Sequence, residues 1–225
     1  MVRTVIFDMD GVIVDTEPVH RYAYYRHFEE LGIEVPDAEY ATFTGRSTKN
    51  VYQHLKDKHG LEPAVDELVL MKREFFNRAF DEKPDLELLD GVRTLIEDLH
   101  RHHLQLILAS SASRSTIDRV MRRFALGSYF SHLVSGEDFP RSKPDPAIFE
   151  HAASLSEAPK SQCVVIEDSS NGVSAAKAAG IYCIGYNSEH SPLQDLSHAD
   201  LVVAHFRELT AERIATLEMG PARTV

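Results

Sequence analysis

Val5-Ile6-Phe7-Asp8-Met9-Asp10-Gly11-Val12-Ile13-Val14-Asp15-Thr16 is the stretch whose reading decides the fold. Val5 to Phe7 read as a short buried strand, and aspartate is a poor strand former, so the strand ends where the acids begin. Asp8 and Asp10 then stand at a strand's carboxyl end, which in an open α/β sheet is where ligands bind. Two like charges about 4 Å apart repel by roughly 4 kcal/mol at an effective dielectric near 20, so a site that holds both ionised asks for a cation. Mg²⁺ is the natural candidate. Taken alone, Asp-x-Asp-Gly is also common in turns. A calcium loop of the EF-hand type fits worse, because its glycine stands sixth from the first Asp and a Glu twelfth, whereas Gly11 stands fourth and no Glu follows at the twelfth place.

Working outward, residues 17 to about 80 lack a convincing strand and carry apolar groups at helical spacing. Tyr24, Phe28 and Leu31 form one stripe, Val51 and Leu55 a second, and Leu68, Met71, Phe75 and Phe76 a third. From residue 91 the pattern alternates. Helices are predicted near 91–103, 114–125, 145–154 and 170–179, with strands at Leu104 to Ala109, Leu133 and Val134, Cys163 to Ile166, Ile181 to Gly185, and Leu201 to Val203. Strand and helix in alternation predict an α/β fold, a Rossmann-like, doubly wound parallel sheet, with an all-helical insert. The core is predicted over 1–16 and 85–225 and the insert over 17–84. Thr16 and the stretch from Pro84 to Asp90, with its loop-forming Pro84, Asp85, Asp90 and Gly91, are the expected hinges.

The chain has 225 residues, 43% of them hydrophobic and 26% charged, enough for one substantial core or a core with an appendage. Its 24 basic and 35 acidic residues leave a net charge of −11, which disfavours nucleic acid and anionic membranes as partners. A phosphate-bearing ligand would need cations placed locally. The amino terminus runs straight into the first strand, so a monomeric cytoplasmic protein without signal or membrane span is expected. Cys163 and Cys183 each sit in an apolar run and read as buried, reduced thiols.

Several polar groups fall just past a predicted strand and should converge on one sheet edge: Asp8 and Asp10; Ser110, followed by Ser111 and Ser113; Lys143 in Arg-Ser-Lys-Pro-Asp-Pro; and Glu167 with Asp168. Each has an ordinary reading, as helix cap, solvated loop lysine or first-turn acid. Together, in this chain order, they fit phosphoryl transfer. A carboxylate, Asp8, attacks phosphorus to give an acyl phosphate, and oxygen ligands hold Mg²⁺. Ser110 donates to a phosphoryl oxygen, Lys143 balances its charge, and Asp10 protonates the leaving oxygen and later takes a proton from water.

Phe-Asp-Met-Asp-Gly-Val at 7–12, Ser110 after a strand, Lys143-Pro144-Asp145-Pro146, and Glu167-Asp168-Ser169 followed by Asn171-Gly172 resemble the haloacid dehalogenase-like superfamily over nearly the whole chain. The helical insert resembles the small cap of the subgroup that includes β-phosphoglucomutase and many sugar-phosphate phosphatases. The resemblance implies that Asp8 is the phosphorylated nucleophile. It also implies that Asp8, Asp168 and the Asp10 carbonyl bind the metal, with Glu167 close by. True haloacid dehalogenases lack an acid at the place of Asp10, so a carbon–halogen substrate is not expected. His20 occupies the place of a functional histidine of β-phosphoglucomutases. Thr44-Gly45-Arg46-Ser47-Thr48-Lys49 resembles the cap loop that contacts substrate, with Gly45, Arg46 and Lys49, beside Thr16 and Ser111, as candidate substrate binders. The mutases' loop lysine is Thr44 here and their arginine falls at Thr48, which weakens that match. His100, His102 and His103 are expected at a helix carboxyl end, without a metal.

Three functions stay open on sequence: an Mg²⁺-dependent phosphatase of a small phosphorylated metabolite such as a sugar phosphate, a β-phosphoglucomutase-like mutase, and a non-catalytic phosphometabolite-binding protein.

Overall fold

A computed structural model describes residues 1–43, 46–83, 86–187 and 194–218. In chain order the described regular elements are β1 (Thr4–Phe7), α1 (Glu17–Leu31), α2 (Asp37–Tyr40), α3 (Thr48–His59), α4 (Val65–Glu82), α5 (Val92–Arg101), β2 (Gln105–Ser110), α6 (Arg114–Arg123), β3 (His132–Ser135), α7 (Ala147–Ser154), β4 (Cys163–Glu167), α8 (Ser170–Ala178), β5 (Tyr182–Tyr186), β6 (Leu201–Val203) and α9 (Ala211–Ala215). Contacts divide the chain into two compact units, Met1–Asp15 with Glu87–Val225, and Thr16–Leu86.

The first unit is a six-stranded, all-parallel sheet of order β3-β2-β1-β4-β5-β6. Strands covered by helices on both faces read as continuous apolar runs, and β1, Thr-Val-Ile-Phe, is buried at every position. It lies centrally, with Phe7 opposite Leu108 of β2 and Ile166 of β4. The order reverses at β1, the switch point that opens a crevice at the strands' carboxyl ends. The helices bury single stripes: α5 turns Val92, Leu95, Ile96 and Leu99 inward. Ser113 and Ser169 cap α6 and α8 by accepting from the amides of Thr116 and Gly172. Cys163 and Cys183 are buried free thiols. Among the described residues no helix is long and apolar enough to cross a membrane.

The second unit is all helical in its described part, around an aromatic-rich core of Tyr24, Phe28, Val35, Tyr40, Phe43, Val51, Tyr52, Leu55 and Leu68. One stripe differs from the sequence reading. On α4 the inward positions are Leu68, Lys72, Phe76 and Phe80, a regular four-residue step, while Met71 is exposed and Phe75 half-buried. Apolarity alone selected Met71, and the spacing selects Lys72. The helices α2 and α9 have no counterpart in the sequence reading. Both are short enough for their apolar residues to show no period.

Candidate active site

In the first unit, β1 ends at Phe7 and the ladder continues for one more bond, from the Asp8 amide to the Ile166 carbonyl at 3.0 Å. The chain then winds tightly. The Met9 carbonyl accepts from the amides of Val12, Ile13 and Val14, and the Gly11 amide donates to the Val14 carbonyl at 2.9 Å. The turn needs a left-handed residue, supplied by Gly11 with φ of +80°. It leaves Asp8 buried, with Asp10 half-buried beside it.

Lys143 is the hub. Its side chain is only 6% exposed, and Nζ donates to Asp8 Oδ1 at 2.5 Å, to Glu167 Oε1 at 2.8 Å and to the Ala109 carbonyl at 3.3 Å. An ammonium has three protons, so this geometry gives each of them an acceptor, and the three acceptors mark the ends of β1, β4 and β2. Nζ also stands 4.6 Å from the centre of the Phe149 ring. Burial works against the ammonium, yet the charges of Asp8 and Glu167 outweigh it and hold Lys143 above the ordinary lysine range. Burial pushes the Asp8 carboxyl up to about 7; Lys143 pulls the other way, and Glu167 and Asp10 add to the rise. An acid so placed depends on a cation to stay ionised.

Glu167, implied to lie close to the metal, is fully engaged by protein: Oε1 faces Lys143, and Oε2 accepts from the Ser169 amide at 2.8 Å and its hydroxyl at 3.0 Å. A Cβ on Gly172 would stand 1.7 Å from Glu167 Oε1, so the glycine makes room for this carboxylate. Asp168 is buried and lies against the turn: a Cβ on Gly11 would come within 2.0 Å of its Oδ2. Asp168 is thereby packed over the loop that carries Asp8 and Asp10. These are hard oxygen donors, few in number, and among the described residues no three His, Cys, Asp or Glu side chains form a cage. Mg²⁺ suits such a set, since it is commonly held by one or two carboxylates with waters and substrate phosphate completing the shell. Ser110, the buried last residue of β2, accepts from the Ala112 amide at 3.1 Å, and Ser111 beside it is exposed.

Of the residues expected to contact substrate from the helical unit, Thr16 is buried at the start of α1, its carbonyl accepting from Val19 and His20 at 3.0 and 2.8 Å. His20 stacks on Phe76 with ring centres 4.4 Å apart, and its Nδ1 is 2.5 Å from Lys72 Nζ. Burial, and then the Lys72 charge, hold His20 well below the ordinary histidine range. Sequence reasoning missed Lys72, although a lysine on the apolar four-residue step of α4 is the signal that finds it. Its Nζ also lies 4.4 Å from the Tyr24 ring centre. Arg46 is exposed, and Lys49 pairs with Asp66 at 2.9 Å on the surface. Gly45, with Thr44, lies outside the described residues, as do Pro84 and Asp85 of the expected hinge. The histidines after residue 99 pack locally: His100 meets Tyr129 edge-on and His102 Nδ1 is 2.9 Å from the Asp98 carbonyl.

A parallel sheet with an acid pair at its switch point and a lysine joining three strand ends defines an α/β enzyme core. Residues 5–186 match the haloacid dehalogenase-like hydrolases, and the chain belongs to that family of enzymes. It is 34% identical to a phosphorylated carbohydrates phosphatase of Thermotoga maritima over 84% of this chain and 86% of that protein. It is 29% identical to the β-phosphoglucomutase of Bacillus subtilis, covering 93% of this chain and 92% of that one. In structure it resembles CbbY from Rhodobacter sphaeroides in complex with xylulose-1,5-bisphosphate, with a TM-score of 0.84, 26% identity, and 93% and 96% of the two chains covered.

Proposed function

We propose that the protein is an Mg²⁺-dependent phosphatase of a sugar phosphate or similar small phosphorylated metabolite, acting through an aspartyl phosphate on Asp8. The observation that carries the proposal is the buried triad in which Lys143 joins Asp8 and Glu167 at adjoining strand ends. A lysine that fixes one carboxylate oxygen of Asp8 orients the other for attack on phosphorus. Ser110 and Ser111 donate to the phosphoryl oxygens, where negative charge accumulates. As the bond from phosphorus to the ester oxygen breaks, Asp10 gives its proton to the departing alcohol. Asp10, now ionised, takes a proton from water as that water attacks the aspartyl phosphate; inorganic phosphate leaves and Asp8 and Asp10 return to their starting forms. Mg²⁺, held by Asp8, Asp168 and the Asp10 carbonyl, would offset the repulsion between Asp8 and the phosphate dianion. Glu167 serves Lys143 in this scheme rather than the ion. Phosphate release is screened over sugar phosphates, nucleotides and pyrophosphate with Mg²⁺; Asp8→Asn and chelation should each abolish it. Turnover by purified Asp8→Asn protein would refute the aspartyl phosphate.

The second reading is a phosphosugar mutase. The pair of half-buried, neutral His20 with buried Lys72 favours it, together with the Bacillus relative. In that case His20, Arg46 and Lys49 select a sugar hydroxyl over water as acceptor. Formation of glucose 6-phosphate from β-glucose 1-phosphate, with a bisphosphate primer, decides between the two. The turnover of any phosphate ester excludes a purely binding role.

A further inference from the structure

The turn that follows β2 carries the hydroxyls assigned to the phosphoryl group, and its shape is held from the neighbouring strand. Strands β2 and β3 are parallel with Ser110 opposite Ser135, so the two chains leave the sheet side by side. Ser135 is fully buried; its hydroxyl donates to the Ala112 carbonyl at 2.7 Å and accepts from the Glu137 amide at 3.2 Å. Gly136 comes next, and a Cβ there would stand 2.9 Å from Ser111 Cα and 3.0 Å from the Ser111 carbonyl oxygen. The two backbones therefore touch where any other residue would force them apart. A third tie closes the arrangement, as Glu137 Oε2 accepts from the Arg114 amide at 3.0 Å. Within the turn, the Ala112 amide donates to Ser110 Oγ, which leaves the Ser110 hydroxyl proton to be given elsewhere.

We propose that Ser135 and Gly136 are positioning residues for the phosphoryl-binding turn: Ser135 fixes the rotation of the peptide after Ala112 through the Ala112 carbonyl, and Gly136 sets how far the Ser111 backbone can retreat. The inference rests on the reading of Ser110 and Ser111 as phosphoryl donors. Donor placement matters because hydrogen bonds weaken steeply with angle, and a fixed donor pays no reorganisation when the anion arrives. Neither residue reaches substrate in this scheme; both act through the turn.

The probe is inorganic phosphate, titrated calorimetrically in the presence of Mg²⁺ into the whole protein as wild type, Ser135→Ala, Gly136→Ala, Ser110→Ala and the Ser110→Ala/Ser135→Ala double variant. Loss of the buried hydroxyl partner should weaken phosphate binding about tenfold, and Gly136→Ala, whose new methyl meets backbone, should do likewise. Far-UV circular dichroism should stay at wild type. If Ser135 acts through the turn, part of its effect runs through the placement of the Ser110 hydroxyl, so the two losses should be less than additive in the double variant. A folded Ser135→Ala or Gly136→Ala protein with wild-type phosphate affinity, or full additivity in the double variant, overturns the inference. Should Ser135→Ala not fold, Gly136→Ala decides. A wild type that takes up no phosphate refutes the phosphoryl reading itself, and is told apart from the other failure by that alone.

Discussion

Replacing Lys143 with methionine retains a long side chain against Phe149 and removes the ammonium from between two buried acids. The Asp8 and Glu167 oxygens lie 2.5 and 2.8 Å from Nζ, so they are separated by no more than the 5.3 Å that these distances sum to. At an effective dielectric near 20, two unit charges at that separation repel by about 3 kcal/mol. The figure agrees with the roughly 3–5 kcal/mol lost when one partner is removed from a buried ion pair. In a protein of this size each kcal/mol is worth about 2–4 °C, so the variant should melt roughly 6–12 °C below wild type. The pH dependence has a definite sign. Burial already raises the Asp8 carboxyl against the pull of Lys143, so without the ammonium Asp8 holds its proton more tightly still in the folded protein than in the unfolded chain, and the deficit grows as pH climbs above the unfolded value of about 4. Thermal melts near pH 5 and pH 8 in chelating buffer measure it, and Mg²⁺ should recover part of the loss near pH 8 by restoring a positive charge beside Asp8. A Lys143→Met protein that melts within about 1 °C of wild type near pH 8 without metal would refute the reasoning, because the two acids would then not be ionised against each other.

Gly11→Ala should abolish turnover and weaken Mg²⁺ binding, since its methyl would fall 2.0 Å from Asp168 Oδ2 on a residue held at φ of +80°; wild-type Mg²⁺ affinity by calorimetry would contradict this. His27 on α1 is buried, with Nδ1 2.6 Å from the Tyr52 hydroxyl and Nε2 without a hydrogen-bond partner among the described residues. Burial lowers its pKa below 6.5, against the charge of Glu30, so the unfolded chain binds the proton more readily and stability is lost as pH falls below about 6.5. The fall in melting temperature between neutral and mildly acid buffer should therefore shrink in His27→Gln, and an equal fall in both proteins would exclude the role.

Sheet and helical insert were legible because their signals are local. Val5 to Phe7 and Val164 to Ile166 are apolar runs that only a strand covered on both faces accommodates, and Asp8 and the Glu167–Asp168 pair follow them directly. The stripe of α4 was misread because hydrophobicity named Met71 over Lys72, whereas the fold solvates one and buries the other beside His20, Tyr24 and Phe76. No local pattern announces that a lysine will find aromatic faces and an imidazole on a helix 52 residues away. Ser135 and Gly136 were equally silent, because their partners in the Ser111–Ala112 backbone become neighbours only once β2 and β3 pair.

The order of acids, hydroxyls and lysine along the chain, each at the end of an apolar run, was determined by the sequence itself, since strand and turn chemistry depend on residues a few positions apart. Which groups meet was decided only by tertiary structure. Lys143 reaches Asp8 across 135 residues and Glu167 across 24; burial there raises the Asp8 carboxyl against the pull of the lysine, while the two acids hold the ammonium charged and Glu167 is turned toward it. Charge–charge energies depend on distance and burial, and neither is a property of sequence spacing.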